Sequence, residues 1–180
     1  MYFIMERYGK IEPYCVKNVI KGIYLCILFV GASVYILPNE YDNALIKTFA
    51  SLYVSNDFLG ILKVKIATTT MCHHLVAIVL LLYCWNTDFS TDPVARMVLM
   101  MTYVSSMSFG VNLYLGLRKL DNVEWLRPIV SKVYLLSFCL NLIVQWHLYE
   151  DSLYARVYLL MLGVILIDDL YLLKWLFKGI

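Results

Sequence analysis

The chain has 180 residues, of which 62% are hydrophobic and only 16% are charged, and its mean hydropathy is +0.72. Soluble domains are about half apolar and about a quarter charged, so this composition excludes an ordinary water-soluble domain and indicates a membrane protein. The formal net charge is only +2 and no basic run is present, which argues against a nucleic-acid partner.

Hydrophobic stretches long enough to cross a bilayer, which needs about 20 apolar residues, recur along the chain. In chain order they are Val19–Leu37, Ala44–Leu62, Ile66–Trp85, Val94–Leu117, Ile129–Leu148 and Leu153–Leu173. Short polar connections such as "NTDFSTDP" separate them. We therefore predict an all-α fold, a polytopic membrane bundle of six transmembrane helices over residues 19–180. Residues 1–18 are predicted to be a cytosolic N-terminal segment.

The distribution of positive charge favours a cytosolic N-terminus. In that orientation 12 of the 15 lysines and arginines lie on the cytosolic side, and only Lys47, Arg96 and Arg156 lie opposite. Cytosolic loops of membrane proteins carry an excess of Lys and Arg. The 12 are Arg7, Lys10, Lys17, Lys21, Lys63, Lys65, Arg118, Lys119, Arg127, Lys132, Lys174 and Lys178. With an even number of spans, we expect both termini in the cytosol.

Several predicted spans place a polar residue at a similar depth, about 8–14 Å from the cytosolic side at 1.5 Å of rise per residue. A polar group that faces lipid costs several kcal/mol, so these groups are expected to turn inward and contact one another. We interpret them as one polar pocket. Its members are Asp57 on the second span, His73 and His74 on the third, Asn112 on the fourth, and Asp168 and Asp169 on the sixth.

Simpler interpretations exist for some of these residues. Asp57 could cap a short second helix among lipid headgroups, and Asn112 could form an interhelical hydrogen bond. Asp168 and Asp169 are adjacent, point about 100° apart and are not expected to share one pocket. We expect no metal, because two adjacent histidines cannot chelate from one helix face. No nucleotide-binding or GxSxG motif is present, and no cofactor is expected.

The adjacent histidines are expected to have different surroundings, since they too point about 100° apart. Leu75, Ile78, Val79 and Leu82 recur at helical spacing and predict the lipid-facing side of the third span. His73 lies farther around the helix from that stripe than His74 does. We therefore expect His73 to face the bundle interior and His74 to lie at a seam between helices.

Three stretches resemble the TLC domain, which is shared by translocating-chain-associated proteins, ceramide synthases and the ceroid-lipofuscinosis cargo receptor. They are the short second helix "YVSNDFLGILKVK", the following "HHLVAIVLLLY" and the ending "LIDDLYLLKWLFKGI". The resemblance runs from about the first span to the end of the chain. It implies an endoplasmic-reticulum or related endomembrane protein that acts in lipid metabolism, often of sphingolipids.

Within that family the chain is similar in part to the ceramide synthases, which join a fatty acyl-CoA to a sphingoid amine. Their motif begins His-His-x5-Leu, and His73, His74 and Leu80 match it. The Ser-Tyr and Asn-Phe pairs that follow are replaced by Cys84–Trp85 and Asp88–Phe89. The His-Asp cluster of the next helix is missing. A fatty-acid elongase is set aside, because its first motif histidine is replaced by Thr70 here.

Two functions remain open. As an acyltransferase, the protein would use His73 or His74 to accept a proton from an attacking amine or to carry the acyl group, with Asp57 or Asp168 orienting the imidazole. Its partners would be membrane lipids and acyl-CoA, and self-association is compatible with either function. Alternatively, it is a non-catalytic lipid-binding or endoplasmic-reticulum cargo protein. An enzyme requires a tunnel for an acyl chain near His73, whereas a packing role requires none.

Overall fold

The computed structural model describes residues 12–36 and 42–178, and within these ranges the chain is helical with no strand. The helices are α1 (Pro13–Ile36), α2 (Asn43–Lys63), α3 (Thr68–Trp85), α4 (Pro93–Ser106), α5 (Phe109–Leu117), α6 (Arg127–Leu148) and α7 (Leu153–Phe177). A 3₁₀ turn at Glu124–Leu126 leads into α6. The all-α prediction is confirmed for these residues.

The helices form a closed ring. Helix α1 packs against α2, α2 against α3, α3 against α7 and α7 against α6. Helix α6 then contacts α4 and α5, and both of these pack against α1 to complete the ring. One hydrophobic cluster joins α3, α4 and α7, and the other joins α5, α6 and α7. The space that the helices enclose is the central cavity described below.

The ring has two ends of different charge. At one, which we call the basic end, Lys63, Lys65, Arg118 and Lys119 surround a shallow depression beside the start of α1. The first and the last described residues both lie at this end. Lys119 lies 3.9 Å from Glu12, and Arg127 Nη2 donates to the carbonyl of Lys178 at 2.6 Å. The basic end therefore corresponds to the side that the charge distribution assigned to the cytosol.

The opposite end, which we call the acidic end, contains Asp42, Asp88, Asp92 and Asp151 at the helix connections. Asn43, the first residue of α2, fixes the α3–α4 connection there. Its Nδ2 donates to Asp88 Oδ1 at 3.0 Å, and its Oδ1 accepts from the backbone N–H of Phe89 at 3.0 Å. Hydrogen bonds from Ser90 and Asn43 lower the pKa of Asp88 to about 2. Successive connections between the helices lie at opposite ends, so the helices run alternately between the basic end and the acidic end.

Fewer helices than expected are apolar enough to count as membrane spans. Among the described residues three qualify, over Pro13–Val34, Thr68–Trp85 and Glu124–Leu148, and α4 with α5 qualifies as a bent pair. The remaining helices are more polar: α2 contains Lys47, Asn56 and Asp57, and α7 contains Asp168, Asp169 and Lys174. Asn56 and Asp57 are buried in the ring interior, and Asp168 and Asp169 line the cavity, whereas Lys174 is exposed.

The fourth predicted span is broken. Helices α4 and α5 meet at Met107–Ser108 with a bend of 48°. Serine hydroxyls compete for backbone carbonyls at this point: Ser106 Oγ donates to Tyr103 O and Ser108 Oγ to Ser105 O, each at 2.5 Å. Such side-chain bonds are a recognised cause of helix bending. Helix α6 secures the bend, because Asn141 Nδ2 donates to Ser105 Oγ at 2.7 Å.

The first helix begins at Pro13, earlier than the expected Val19, and this changes the position of two charges. Proline is favoured in the first turn of a helix because that turn needs no N–H donor. Lys17 and Lys21 consequently lie inside α1, where they are only 4% and 8% exposed. Both lysines are therefore buried among the helices and do not lie in a loop. Arg7 and Lys10 lie outside the described residues.

Candidate functional site

A cavity of about 530 Å³ fills the centre of the ring and extends from one end to the other. It is bordered by Lys65 and Arg118 at the basic end and by Asp42 and Phe89 at the acidic end. The half toward the acidic end is lined mainly by apolar side chains, including Leu45, Ile46, Phe49, Leu80, Leu81, Met101 and Ile165. The half toward the basic end is lined by most of the polar residues of the interior. The cavity is therefore amphipathic along its length.

The most buried polar contacts join α1, α2 and α3 through His74. Its Nδ1 lies 3.2 Å from Asp57 Oδ2, and its Nε2 lies 3.1 Å from Lys17 Nζ. Asp57 is completely buried, and His74 is 2% exposed. A carboxylate can only accept, so this contact favours the tautomer with its proton on Nδ1, in which Nε2 presents its lone pair to Lys17. The three residues thus form a continuous chain from carboxylate to imidazole to amine.

Lys21 compensates the charge of the buried carboxylate. Its Nζ donates to Asp57 Oδ1 at 2.8 Å and lies 4.9 Å from the centre of the Tyr53 ring. A buried carboxylate without such partners is strongly unfavourable. Asp57 is therefore held by one residue on each oxygen, and it does not cap α2 among headgroups, since it lies inside the helix and is enclosed by α1 and α3.

A second polar group joins α3 to α7 and α6. His73 Nδ1 lies 3.3 Å from Asp168 Oδ2 and 4.0 Å from Asp169 Oδ1. Thr70 Oγ1 donates to the other oxygen of Asp168 at 2.9 Å, and Tyr134 OH donates to Asp169 at 2.6 Å. The His73 side chain is 17% exposed, more than that of His74, and it borders the cavity. Its carboxylate partners are each fixed by a hydroxyl group.

The packing of α3 explains why neighbouring imidazoles have different partners. Helix α3 lies between α2 on one side and α7 on the other. Residues 100° apart on α3 can therefore meet one flanking helix each. The prediction that a histidine of the pair contacts a polar group of another helix is confirmed for both His73 and His74. The division into one inward and one seam histidine is wrong, because both border the cavity and both contact a neighbouring helix.

The other predicted site residues have mixed outcomes. Asp168 and Asp169 both line the cavity, so the expectation that they cannot share one pocket is wrong. The cavity is broad enough at α7 to be bordered by both, one toward α3 and one toward α6. Asn112 on α5 also lines the cavity, but the close contacts of the two imidazoles come from aspartates and Lys17.

Lys17 and Lys21 are the site residues that the sequence interpretation missed. A signal for them was present, because Tyr14, Lys17, Asn18 and Lys21 follow helical spacing and so share one face of α1. Because both lysines were assigned to the charges of the cytosolic side, their shared face on α1 was not interpreted as part of the polar pocket. An extended helix start at Pro13 was needed to place the lysines at the depth of Asp57 and His74.

The charges of the cluster nearly balance. Asp57, Asp168 and Asp169 supply three carboxylates against the two amines of Lys17 and Lys21, with both imidazoles between them. Among the described residues no group of three or more His, Cys, Asp or Glu side chains is placed to hold a metal ion.

No protein-family model, no curated protein and no solved structure matches this chain.

Proposed function

We propose that the chain is an integral membrane protein of the TLC type that binds a long acyl chain in the ring cavity and acts on the lipid at the histidine cluster. The observation that carries this proposal is the amphipathic cavity: an apolar chamber leads directly to His73, His74 and their carboxylates. Its volume of about 530 Å³ lies within the roughly 300–1,000 Å³ of small-molecule sites. A cluster that served only packing would need no chamber.

In the proposed membrane arrangement all six passages of the chain through the ring span the bilayer, and both termini face the cytosol. Helices α2 and α7 are less apolar than ordinary spans because they contribute the carboxylates of the site. Their outward residues remain apolar, since Leu52 and Phe58 on α2 and Leu160 and Ile167 on α7 are largely exposed. An endoplasmic-reticulum or related endomembrane location accords with this lipid role.

The proposed reaction is acyl transfer from acyl-CoA to a lipid amine. His73 is the general base, with Asp168 on Nδ1 holding the ring so that Nε2 accepts the proton of the amine. The amine nitrogen bonds to the thioester carbonyl carbon, the carbon–sulfur bond breaks, and the proton passes from His73 to the departing thiolate. The apolar chamber holds the acyl chain during this step.

The basic end offers a place for the phosphates of the acyl donor. Arg118 and Lys65 border both the cavity and the outer depression, so they lie where the cavity opens. The Arg118 guanidinium lies 4.4 Å from the centre of the Trp175 ring, which holds it by a cation–π contact. Arginine fixed in this way is suited to phosphate recognition.

A second candidate function, lipid binding without catalysis, is favoured by the contacts of His74. Both of its nitrogens have partners within 3.2 Å, and Asp57 has partners on both oxygens. A buried network of close polar contacts is also what a structural role requires. Under this alternative the lipid enters the cavity, but none of its bonds changes.

Chain-length selection tests the proposed use of the cavity. Gly31 borders the cavity, and a Cβ atom added there meets nothing within 4 Å. Gly31→Phe should therefore fill part of the apolar chamber and shift the lipids that co-purify with the protein toward shorter chains, as measured by mass spectrometry. Gly163→Phe is the matched control, because Gly163 also has open space but does not line the cavity. An unchanged lipid profile in Gly31→Phe would contradict the proposal.

Catalysis is tested separately. Purified protein in lipid nanodiscs is given a long-chain acyl-CoA and a sphingoid amine, and amide formation is followed by mass spectrometry. His73→Ala should lose the activity while retaining bound lipid. Lipid binding without turnover by the wild type would support the non-catalytic alternative.

A further inference from the structure

We propose that Lys17 is a covalent attachment site, whose amine forms an imine with the carbonyl carbon of a long-chain aldehyde bound in the cavity. This goes beyond acyl transfer, although it rests on the proposed use of the cavity for an apolar chain. The geometry points to it through the chain from Asp57 to His74 to Lys17, which ends on an amine at the wall of the cavity.

The contacts of Lys17 differ from those of the neighbouring buried lysine. Lys21 Nζ is paired with a carboxylate oxygen at 2.8 Å, which holds it as an ammonium ion. Lys17 Nζ instead lies 3.1 Å from His74 Nε2, an acceptor that can take a proton from it. An amine that is desolvated and near a second cation is the recognised form of a nucleophilic lysine. Lys17 meets both conditions, since it is 4% exposed and one helical turn from Lys21.

Asp57, His74 and Lys17 are arranged like a catalytic triad in which the nucleophile is an amine. Asp57 holds His74 in the tautomer that has its lone pair on Nε2, and that lone pair faces Lys17. His74 can remove a proton from the ammonium group and return it later. In this step His74 is a positioning and proton-transfer residue, while Lys17 is the group that bonds to the ligand.

The proposed step is balanced without an oxidant or a reductant. His74 takes a proton from the Lys17 ammonium, and the free amine bonds to the aldehyde carbon while one proton moves from the nitrogen to the former carbonyl oxygen. The resulting carbinolamine loses water: its carbon–oxygen bond breaks, His74 returns its proton to the departing hydroxyl, and the carbon–nitrogen double bond forms as a protonated imine. One aldehyde and one amine thus give one imine and one water molecule, and hydrolysis reverses the step.

The shape of the cavity defines the class of ligand. Lys17 and His74 line the polar half, and the apolar chamber continues from there toward Leu80, Met101 and Ile165. A linear aldehyde can place its tail among the apolar residues with its carbonyl group at Lys17. The ligand is therefore an aldehyde with a long unbranched hydrocarbon chain.

Borohydride trapping with hexadecanal tests the proposal. Full-length protein in nanodiscs is incubated with hexadecanal, the imine is reduced to a stable secondary amine, and the modified residue is located by peptide mapping. Lys17 should be the main modified residue in the wild type. Lys17→Arg should abolish this adduct, whereas Lys119→Arg, a change at a lysine that is 49% exposed, should leave it intact.

His74→Gln tests the proton-transfer step, because it leaves Lys17 in place but removes the basic nitrogen. General-base catalysis contributes about 10²–10⁴ in rate, so initial trapping should slow by at least about a hundredfold. Binding of hexadecanol, which cannot form an imine, is measured in the same variant and distinguishes a slowed proton transfer from a disrupted cavity.

The outcomes separate this inference from the proposed function. Hexadecanol binding in the cavity without any adduct at Lys17 would overturn the imine proposal and leave the lipid function standing. Labelling spread over exposed lysines, with Lys17 not enriched, would overturn it as well. Failure of hexadecanol itself to bind would instead contradict the lipid-binding function on which the inference rests.

Discussion

Lys17 crosses the surface of α2 directly at Gly60. A Cβ atom added to Gly60 would lie 2.6 Å from Lys17 Cε and 3.0 Å from Lys17 Cδ. These distances are shorter than ordinary van der Waals contacts, so the absence of a side chain at Gly60 creates the groove through which Lys17 reaches His74. The position of the amine depends on a residue of another helix.

Gly60→Ala is expected to displace Lys17 from His74, because the flexible end of the lysine must move away from the new methyl group. Overpacking of this kind costs about 1–3 kcal/mol. We expect a lower thermal unfolding temperature in detergent and a large loss of aldehyde trapping at Lys17. Gly163→Ala is the control, since its new Cβ meets nothing within 4 Å. It should be at least as stable as the wild type, and equal stability of the two variants would contradict the contact.

Breaking the Lys21–Asp57 pair is expected to destabilise the protein strongly. Lys21→Met leaves a completely buried carboxylate with one partner fewer, and removal of one member of a buried pair costs about 3–5 kcal/mol. The double variant Lys21→Met/Asp57→Leu should recover part of that loss. Chemical or thermal unfolding in detergent measures the four corners of this double-mutant cycle.

The exposed pair of Arg156 and Asp151 provides the comparison. Its atoms are 2.8 Å apart, the same distance as in the buried pair, but the two side chains are 66% and 61% exposed. Exposed ion pairs contribute little to stability, so Arg156→Ala should have little effect. A similar loss in Arg156→Ala and Lys21→Met would show that burial does not govern the energetics.

The histidines are expected to differ when each is replaced by alanine. His74→Ala leaves buried groups on Asp57 and Lys17 without a partner, and each unsatisfied group costs about 1–3 kcal/mol. His73→Ala should cost less, because His73 is more exposed and Thr70 still donates to Asp168. Lipid activity should nevertheless be lost in His73→Ala. Expression level, unfolding temperature and acyl transfer together give the ranking.

His147→Ala serves as the control for this pair, since His147 is exposed near the acidic end. It should match the wild type in stability and in activity. Greater stability loss in His73→Ala than in His74→Ala would reverse the assignment of the two imidazoles, and full activity of the double variant would reject a catalytic role for both.

The orientation in the membrane can be tested with tags. The first and the last described residues lie at the basic end, where Lys119 is near Glu12. A protease added to intact microsomes should therefore remove a tag at the C-terminus and a tag inserted at 119–122. A tag inserted at 87–91, near the acidic end, should be protected. A protected C-terminal tag would exclude the six-span arrangement.

The resemblance to the TLC domain and the lipid function stay predictions until such experiments are done. The polar residues could be assigned to one level from sequence because helical rise converts sequence position into depth. That calculation brought Asp57, His74 and Asp168 to the same layer correctly. It did not give their pairing, since depth leaves the rotation of each helix and the order of helices around the ring undetermined.

The sequence alone determined the helical class and the polar level. Apolar stretches can satisfy their backbone groups in lipid only as helices or closed barrels, and buried polar groups must seek one another. Only the tertiary structure decided that Lys17 and Lys21 lie inside the ring, that His74 faces α1 and α2 while His73 faces α7, and that a cavity lies between them. These features depend on which helices are neighbours in space, and contacts between residues distant in the chain leave no periodic signal along it.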